Sequence, residues 1–81
     1  MSMEVRFSKS ALRALLRSNK AELIRRKIDE LAADPLSQSA NVKRLTGRAE
    51  YRLRVQDWRI IFRLEEGLLW IDDIGPRGSI Y

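Results

Sequence analysis

The chain has 81 residues, 44% of them hydrophobic and 33% charged, with 16 Lys and Arg against 11 Asp and Glu. A chain of this length holds one core, so residues 1–81 are expected to form a single domain of modest stability. Cysteine and histidine are both absent, which removes disulfides, thiolate chemistry, the usual general base and the commonest transition-metal ligands.

No stretch approaches the ~20 apolar residues that span a bilayer. The opening MSMEVRFSK has no apolar signal-peptide segment. The expected location is cytoplasmic, with no membrane partner.

Met3, Val5 and Phe7 alternate with Glu4 and Arg6, the period of a short strand with one buried face. Ser8 stands at a helix N-cap position, where its hydroxyl can accept from a backbone N–H left unpaired in the first turn. A first helix is predicted over Lys9–Arg17, with Leu12, Leu15 and Leu16 on its apolar side, and Ser18-Asn19 as the break. A second is predicted from about Lys20 to Ala33, where Leu23, Ile24, Ile28 and Leu31 recur at helical spacing. Asp34-Pro35 stops it, because a residue before proline avoids the helical region.

Residues 36–41 read as a polar loop, followed by the apolar pair Val42 and Leu45 and a turn at Gly47. Three strands follow, at about Glu50–Val55, Trp58–Leu64 and Leu68–Ile74. Gln56-Asp57 and Glu65-Glu66-Gly67 are short enough to be hairpin turns. The tail from Gly75 to Tyr81 reads as irregular. The expected class is α+β, in the order β-α-α-β-β-β: a small antiparallel-rich sheet with a helical hairpin packed on one face.

Charge is unevenly distributed. Lys43 to Arg63 holds a basic surplus of five, equal to the net charge of +5 on the whole chain. At strand period Tyr51, Leu53 and Val55 share one face and Arg52 and Arg54 the other, while Arg59 and Arg63 oppose Trp58, Ile60, Phe62 and Leu64. Arginines on the wet face of a one-sided sheet commonly do no more than solvate it. Four on one face of adjacent strands also repel one another, so a polyanion is the partner that relieves the cost. Trp58, Phe62, Trp70 and Tyr51 read as core aromatics. Asp72 and Asp73, adjacent on a strand, are expected to point to opposite faces and so not to form a catalytic pair.

The segments VRFSKSALRALL, VKRLTG, YRLRVQDWRIIFRL and GPRGSIY, in this order along the chain, resemble the RelE/ParE superfamily of toxins from type II toxin–antitoxin systems, and the RelE-like branch in particular. The resemblance implies the RelE-like microbial RNase fold. It also implies an endoribonuclease that enters the ribosomal A site and cuts mRNA without metal or cofactor, the 2′-hydroxyl attacking the adjacent phosphate. Arg59 matches the family's phosphate-binding arginine, and Arg77 a transition-state stabiliser in the C-terminal motif. Arg52 and Arg54 match paired basic positions that are often lysines, and Tyr81 a tyrosine that stacks on the nucleotide and assists proton transfer. Lys43, Arg44, Arg48 and Arg63 are expected to bind RNA phosphates.

Arginine at 52 and 54 supplies charge but not a base, since a guanidinium stays protonated above pH ~12. That leaves Tyr81, Glu50, Asp57 or water to accept the proton. A cognate antitoxin is implied as partner, with operator DNA bound only by the toxin–antitoxin complex. Two alternatives stand beside this reading. One is a ParE-like inhibitor of DNA gyrase without nuclease activity, whose relatives generally carry a longer helical hairpin. The other is an RNA-binding module that has lost catalysis.

Overall fold

The computed structural model of the protein describes residues 2–79. Its elements are β1 (Glu4–Phe7), α1 (Lys9–Arg17), α2 (Ala21–Ala33), a 3-10 turn (Ser39–Asn41), β2 (Val42–Arg44), β3 (Tyr51–Val55), β4 (Trp58–Glu65) and β5 (Leu68–Pro76). Ser8 shows how tightly local and tertiary structure are joined. Its Oγ accepts from the Ala11 N–H at 3.0 Å, capping α1, and donates to the Asp72 carbonyl at 2.8 Å. Its own N–H donates to the Ile71 carbonyl at 2.9 Å. One residue therefore ends β1, starts α1 and ties both to β5.

The five strands form one mixed sheet in the order β1-β5-β4-β3-β2. β5 lies between β1 and β4, running parallel to β1 and antiparallel to β4. This is the expected α+β arrangement with one strand more than the sequence pattern showed. Val42–Arg44 pairs with β3 in the register Val42↔Leu53, Lys43↔Arg52, Arg44↔Tyr51.

The core lies between the helices and one face of the sheet. Ala11 and Leu15 of α1, and Ile24, Ile28, Leu31 and Ala32 of α2, pack with Leu53, Val55, Ile60, Phe62, Leu69, Ile71 and Ile74. Tyr51 stacks on Phe62 across the strand pair, centroids 5.4 Å apart. The buried stripe of α1 differs from the expected one: Ala11 and Leu15, four apart, face the sheet, while Leu12 and Leu16 are 43% and 74% exposed. A nine-residue helix has too few turns for its three leucines alone to define the inward face. No described helix is long and apolar enough to cross a membrane.

Between Ile61↔Asp73 and Phe62↔Ile71 the β4–β5 register shifts, so Asp72 is an extra residue in β5. Ile71 and Ile74, three residues apart, both reach the core, which strict alternation forbids. The bulge therefore leaves Asp72 and Asp73 both off the core face, contrary to the expectation that they part to opposite faces. β5 also runs on through Gly75 and Pro76, opposite Arg59 and Trp58. The start of the presumed irregular tail is strand.

Candidate active site

Strand register assembles the basic face. Lys43 lies opposite Arg52, Arg52 opposite Ile61, and Arg54 directly opposite Arg59. Arg59 in turn faces Gly75, so the row across β3, β4 and β5 carries two guanidiniums and then bare backbone. Ile61 points the same way as the arginines yet is buried. Long neighbouring side chains can cover such an apolar floor with their stems.

Arg59 is the centre of the cluster. Its guanidinium donates to the carbonyls of Gln56 at 2.9 Å and Trp58 at 3.0 Å, which folds it back over the β3–β4 turn. Gln56 takes a positive φ of 54°, as tight hairpin turns require, at a cost on the order of 1 kcal/mol for a residue with a Cβ. Burial, and then the charges of Arg52, Arg77 and Arg54, push the Arg59 pKa down, with Asp57 acting the other way. Arg77 is brought in by the extended β5: its N–H donates to the Asp57 carbonyl at 2.6 Å. Among the described residues, Arg54, Arg59 and Arg77 form no ion pair.

Two adjoining recesses open on these groups. A cleft of about 440 Å³ is lined by Arg54, Arg59 and Arg77 with Asp57, Lys27 and Gln38. A smaller one of about 210 Å³ is lined by Lys43, Arg52, Arg54 and Arg59. Asn41 borders both. Asn41, Gln38 and Lys27 escaped the sequence reading because a polar loop and a helix flank give no signal of what they will face.

The remaining expected residues are dispersed. Arg44 is registered with Tyr51, so it stands on the helix side of the sheet, away from Lys43. Arg48 is bound to Glu50. Arg63 donates to Asp72 at 2.9 Å and to Glu65 at 2.6 Å, and lies over the Trp70 ring at 4.9 Å. Glu65 and Asp72 hold its pKa above the ordinary arginine range. Trp70, expected in the core, is instead half-exposed on the basic side, beside Arg6 in the β1–β5 register. Tyr81 lies outside the described residues.

Glu50 has a pKa raised from 4.5, chiefly by hydrogen bonding to Asp72 and by burial, against the pull of Arg48. The folded state thus holds this proton more tightly than the unfolded state. Its contribution to stability is full below about 4.5 and is lost as pH rises through the higher folded value. Glu50→Gln keeps a neutral hydrogen-bonding group there. It is expected to melt above the parent at about pH 7 and level with it near about pH 4, in melting curves taken across that range. A deficit at every pH would mean that the Arg48 pairing outweighs the clash with Asp72.

A cluster of guanidiniums around a cleft, on a five-stranded sheet backed by a helical hairpin, presents concentrated positive charge to solvent. Residues 5–81 match the family described as the ParE toxin of type II toxin-antitoxin system, parDE, and the chain belongs to that family. It is a toxin of a type II toxin–antitoxin system.

Its fold is that of solved RelE and YafQ toxins. In the archaeal RelE-RelB complex from Pyrococcus horikoshii OT3 the similar chain is 26% identical, with a TM-score of 0.80 over 96% of this chain and 98% of that one. In the E. coli DinJ-YafQ toxin-antitoxin complex the values are 16%, 0.79, 100% and 99%. In the intact E. coli RelBE toxin-antitoxin complex they are 18%, 0.75, 93% and 96%. Among curated proteins none matches.

Proposed function

We propose that this toxin is a ribosome-dependent endoribonuclease that cuts mRNA in the ribosomal A site by attack of a 2′-hydroxyl on the adjacent phosphate. The observation that carries this reading is the convergence of Arg54, Arg59 and Arg77, none of them in an ion pair among the described residues, on one cleft. In-line transesterification builds negative charge on a five-coordinate phosphorus. Fixed guanidiniums that already repel one another gain most when that charge appears. Arg59, anchored to two carbonyls, is the central phosphate ligand. Arg77, Arg52 and Arg54 complete the positive wall, with Lys43 beside them on the path of the strand.

The proton of the attacking hydroxyl needs an acceptor within reach. Glu50 is engaged by Arg48 and Asp72, whereas Asp57 borders the cleft. The arrangement therefore favours Asp57 over Glu50. The leaving 5′-oxygen takes a proton from water, and a 2′,3′-cyclic phosphate remains.

The similar RelE and YafQ chains are seen in complexes with RelB and DinJ, and a cognate antitoxin is the partner proposed here. Operator DNA would be bound by that complex. The ParE description of the family points instead to a gyrase inhibitor. Helices of nine and thirteen residues and the arginine cluster weigh against it.

The test is to add the purified protein to a cell-free translation reaction and map mRNA 5′ ends, with Arg77→Ala alongside. Cuts confined to ribosome-bound message, lost in the variant, support the nuclease. Blocked translation with intact message supports binding without chemistry. Normal translation with gyrase-dependent cleaved plasmid overturns the proposal in favour of the ParE-like target.

A further inference from the structure

Arginines that grip phosphates fix where an RNA lies but carry no information about its bases. A toxin that cuts some sequences more readily than others needs a side chain beside the phosphate ligands whose donor or acceptor is left for a base edge. Three carboxamides border the cleft, Gln38, Asn41 and Gln56; Gln56, in the β3–β4 turn, borders the larger recess but not the smaller one. Gln38 is buried, and its Nε2 donates to Glu30 Oε1 at 2.7 Å, so it is committed to holding the α2–β2 connection.

Asn41 is placed differently. It closes the 3-10 turn, its N–H donating to the Gln38 carbonyl at 2.8 Å. The next residue, Val42, enters the sheet opposite Leu53. Its backbone is thus held from both sides. Its Oδ1 accepts from Arg54 Nη2 at 3.0 Å. A guanidinium has only donors, so the partner atom must be the amide oxygen, and this fixes which way the carboxamide faces. The Nδ2 amino group makes no hydrogen bond among the described residues. With Arg54 and Arg59, Asn41 is shared by both recesses, so it stands where a nucleotide next to the bound phosphate would pass.

We propose that Asn41 is a specificity-determining residue that offers its amino group to the base beside the scissile phosphate, selecting bases with a keto edge over those with an amino edge. This rests on the proposed reading of the same site in so far as that site binds RNA. Uridine and guanosine present a carbonyl oxygen where cytidine and adenosine present an amino group. An Asn donor therefore favours the first pair. Arg54 holds the oxygen and so keeps the donor turned outward.

Asn41→Asp tests this through the base ratio and not the overall rate, because its added negative charge weakens phosphate binding at all sites alike. The carboxylate still accepts from Arg54, but the donor is gone and an acceptor takes its place. Cut sites of the full-length parent, Asn41→Asp and Asn41→Ala are compared by sequencing 5′ ends from the same translated message pool. The parent is expected to favour uridine over cytidine and guanosine over adenosine at one position flanking the cut. Asn41→Asp is expected to shift that ratio toward cytidine and adenosine by about five-fold, the effect of one neutral hydrogen bond. Asn41→Ala should bring it toward unity.

A mere prop for Arg54 would lower cleavage at all sites alike and leave the ratio unmoved, which overturns the inference. Fluorescence anisotropy with short single-stranded oligouridylate and oligocytidylate reads the same ratio independently of cutting. RNA bound without cutting, with the base ratio shifted by Asn41→Asp, would overturn the nuclease reading and uphold this one. No cut in the translated message together with no binding to either RNA would overturn both.

Discussion

Arg59→Ala is expected to lower the rate of message cleavage by about 10²-fold or more, the usual effect of removing one preorganised donor from a developing anion. The side chain is held to the Gln56 and Trp58 carbonyls, so in the proposed reaction it would meet the phosphate without reorganising. Its charge is opposed by Arg52, Arg77 and Arg54, and deleting it relieves that repulsion. Stability should therefore not fall in proportion to activity, and melting temperature is expected to stay level or rise. Arg26→Ala makes the matching control. It removes the same unit of charge from an exposed position on α2, where Arg26 pairs loosely with Glu30 at 3.9 Å. Cleavage by that variant should remain near the parent's. Equal activity in Arg59→Ala and the parent, measured on the same translated message, would remove Arg59 from the chemistry.

The second large effect lies in the core. Phe62→Ala is expected to cost about 3–5 kcal/mol, against a total of about 5–15 kcal/mol for a domain of ordinary stability. Phe62 is fully buried, stacks on Tyr51 and sits at the register shift opposite Ile71. At roughly 4–8 °C per kcal/mol for a chain of this size, melting temperature should fall by at least about 12 °C. Leu64→Ala tests the argument on the same strand face. That leucine is 40% exposed, so its truncation should cost about 1 kcal/mol or less. If thermal melts showed equal losses for the two, burial would not be what distinguishes them.

Elements with a strong local period were legible in the chain. The first helix runs over Lys9–Arg17 as read, and β3 and β4 follow their alternation to within a residue. The shared face of Arg52, Arg54 and Arg59 follows from period two alone. What the pattern does not carry is the partner of each strand. β2 has three residues and no alternation long enough to register. The bulge at Asp72 breaks the very period by which Asp72 and Asp73 were parted. Arg63 looked like its fellow arginines, but its position next to Asp72 and Glu65 depends on the β4–β5 register, and that pairing spends its charge within the protein. Arg77 was singled out through its motif. Only the continuation of β5 through Pro76 explains why it meets Asp57.

The pairing of β1 with β5 also bears on when this protein can become harmful to the cell that makes it. Ser8 and Asp72, joined by a hydrogen bond, are 64 residues apart. The strand that emerges early from the ribosome must wait for the one that emerges late, and closing so long a loop before its contacts form is slow. β5 carries the carbonyls that receive Ser8 and delivers Arg77 to the turn. A nascent chain lacking it has neither a closed sheet nor a complete arginine cluster. Synthesis itself therefore imposes a delay between translation of the toxin and its first active molecule, and an antitoxin already present has that interval in which to capture it.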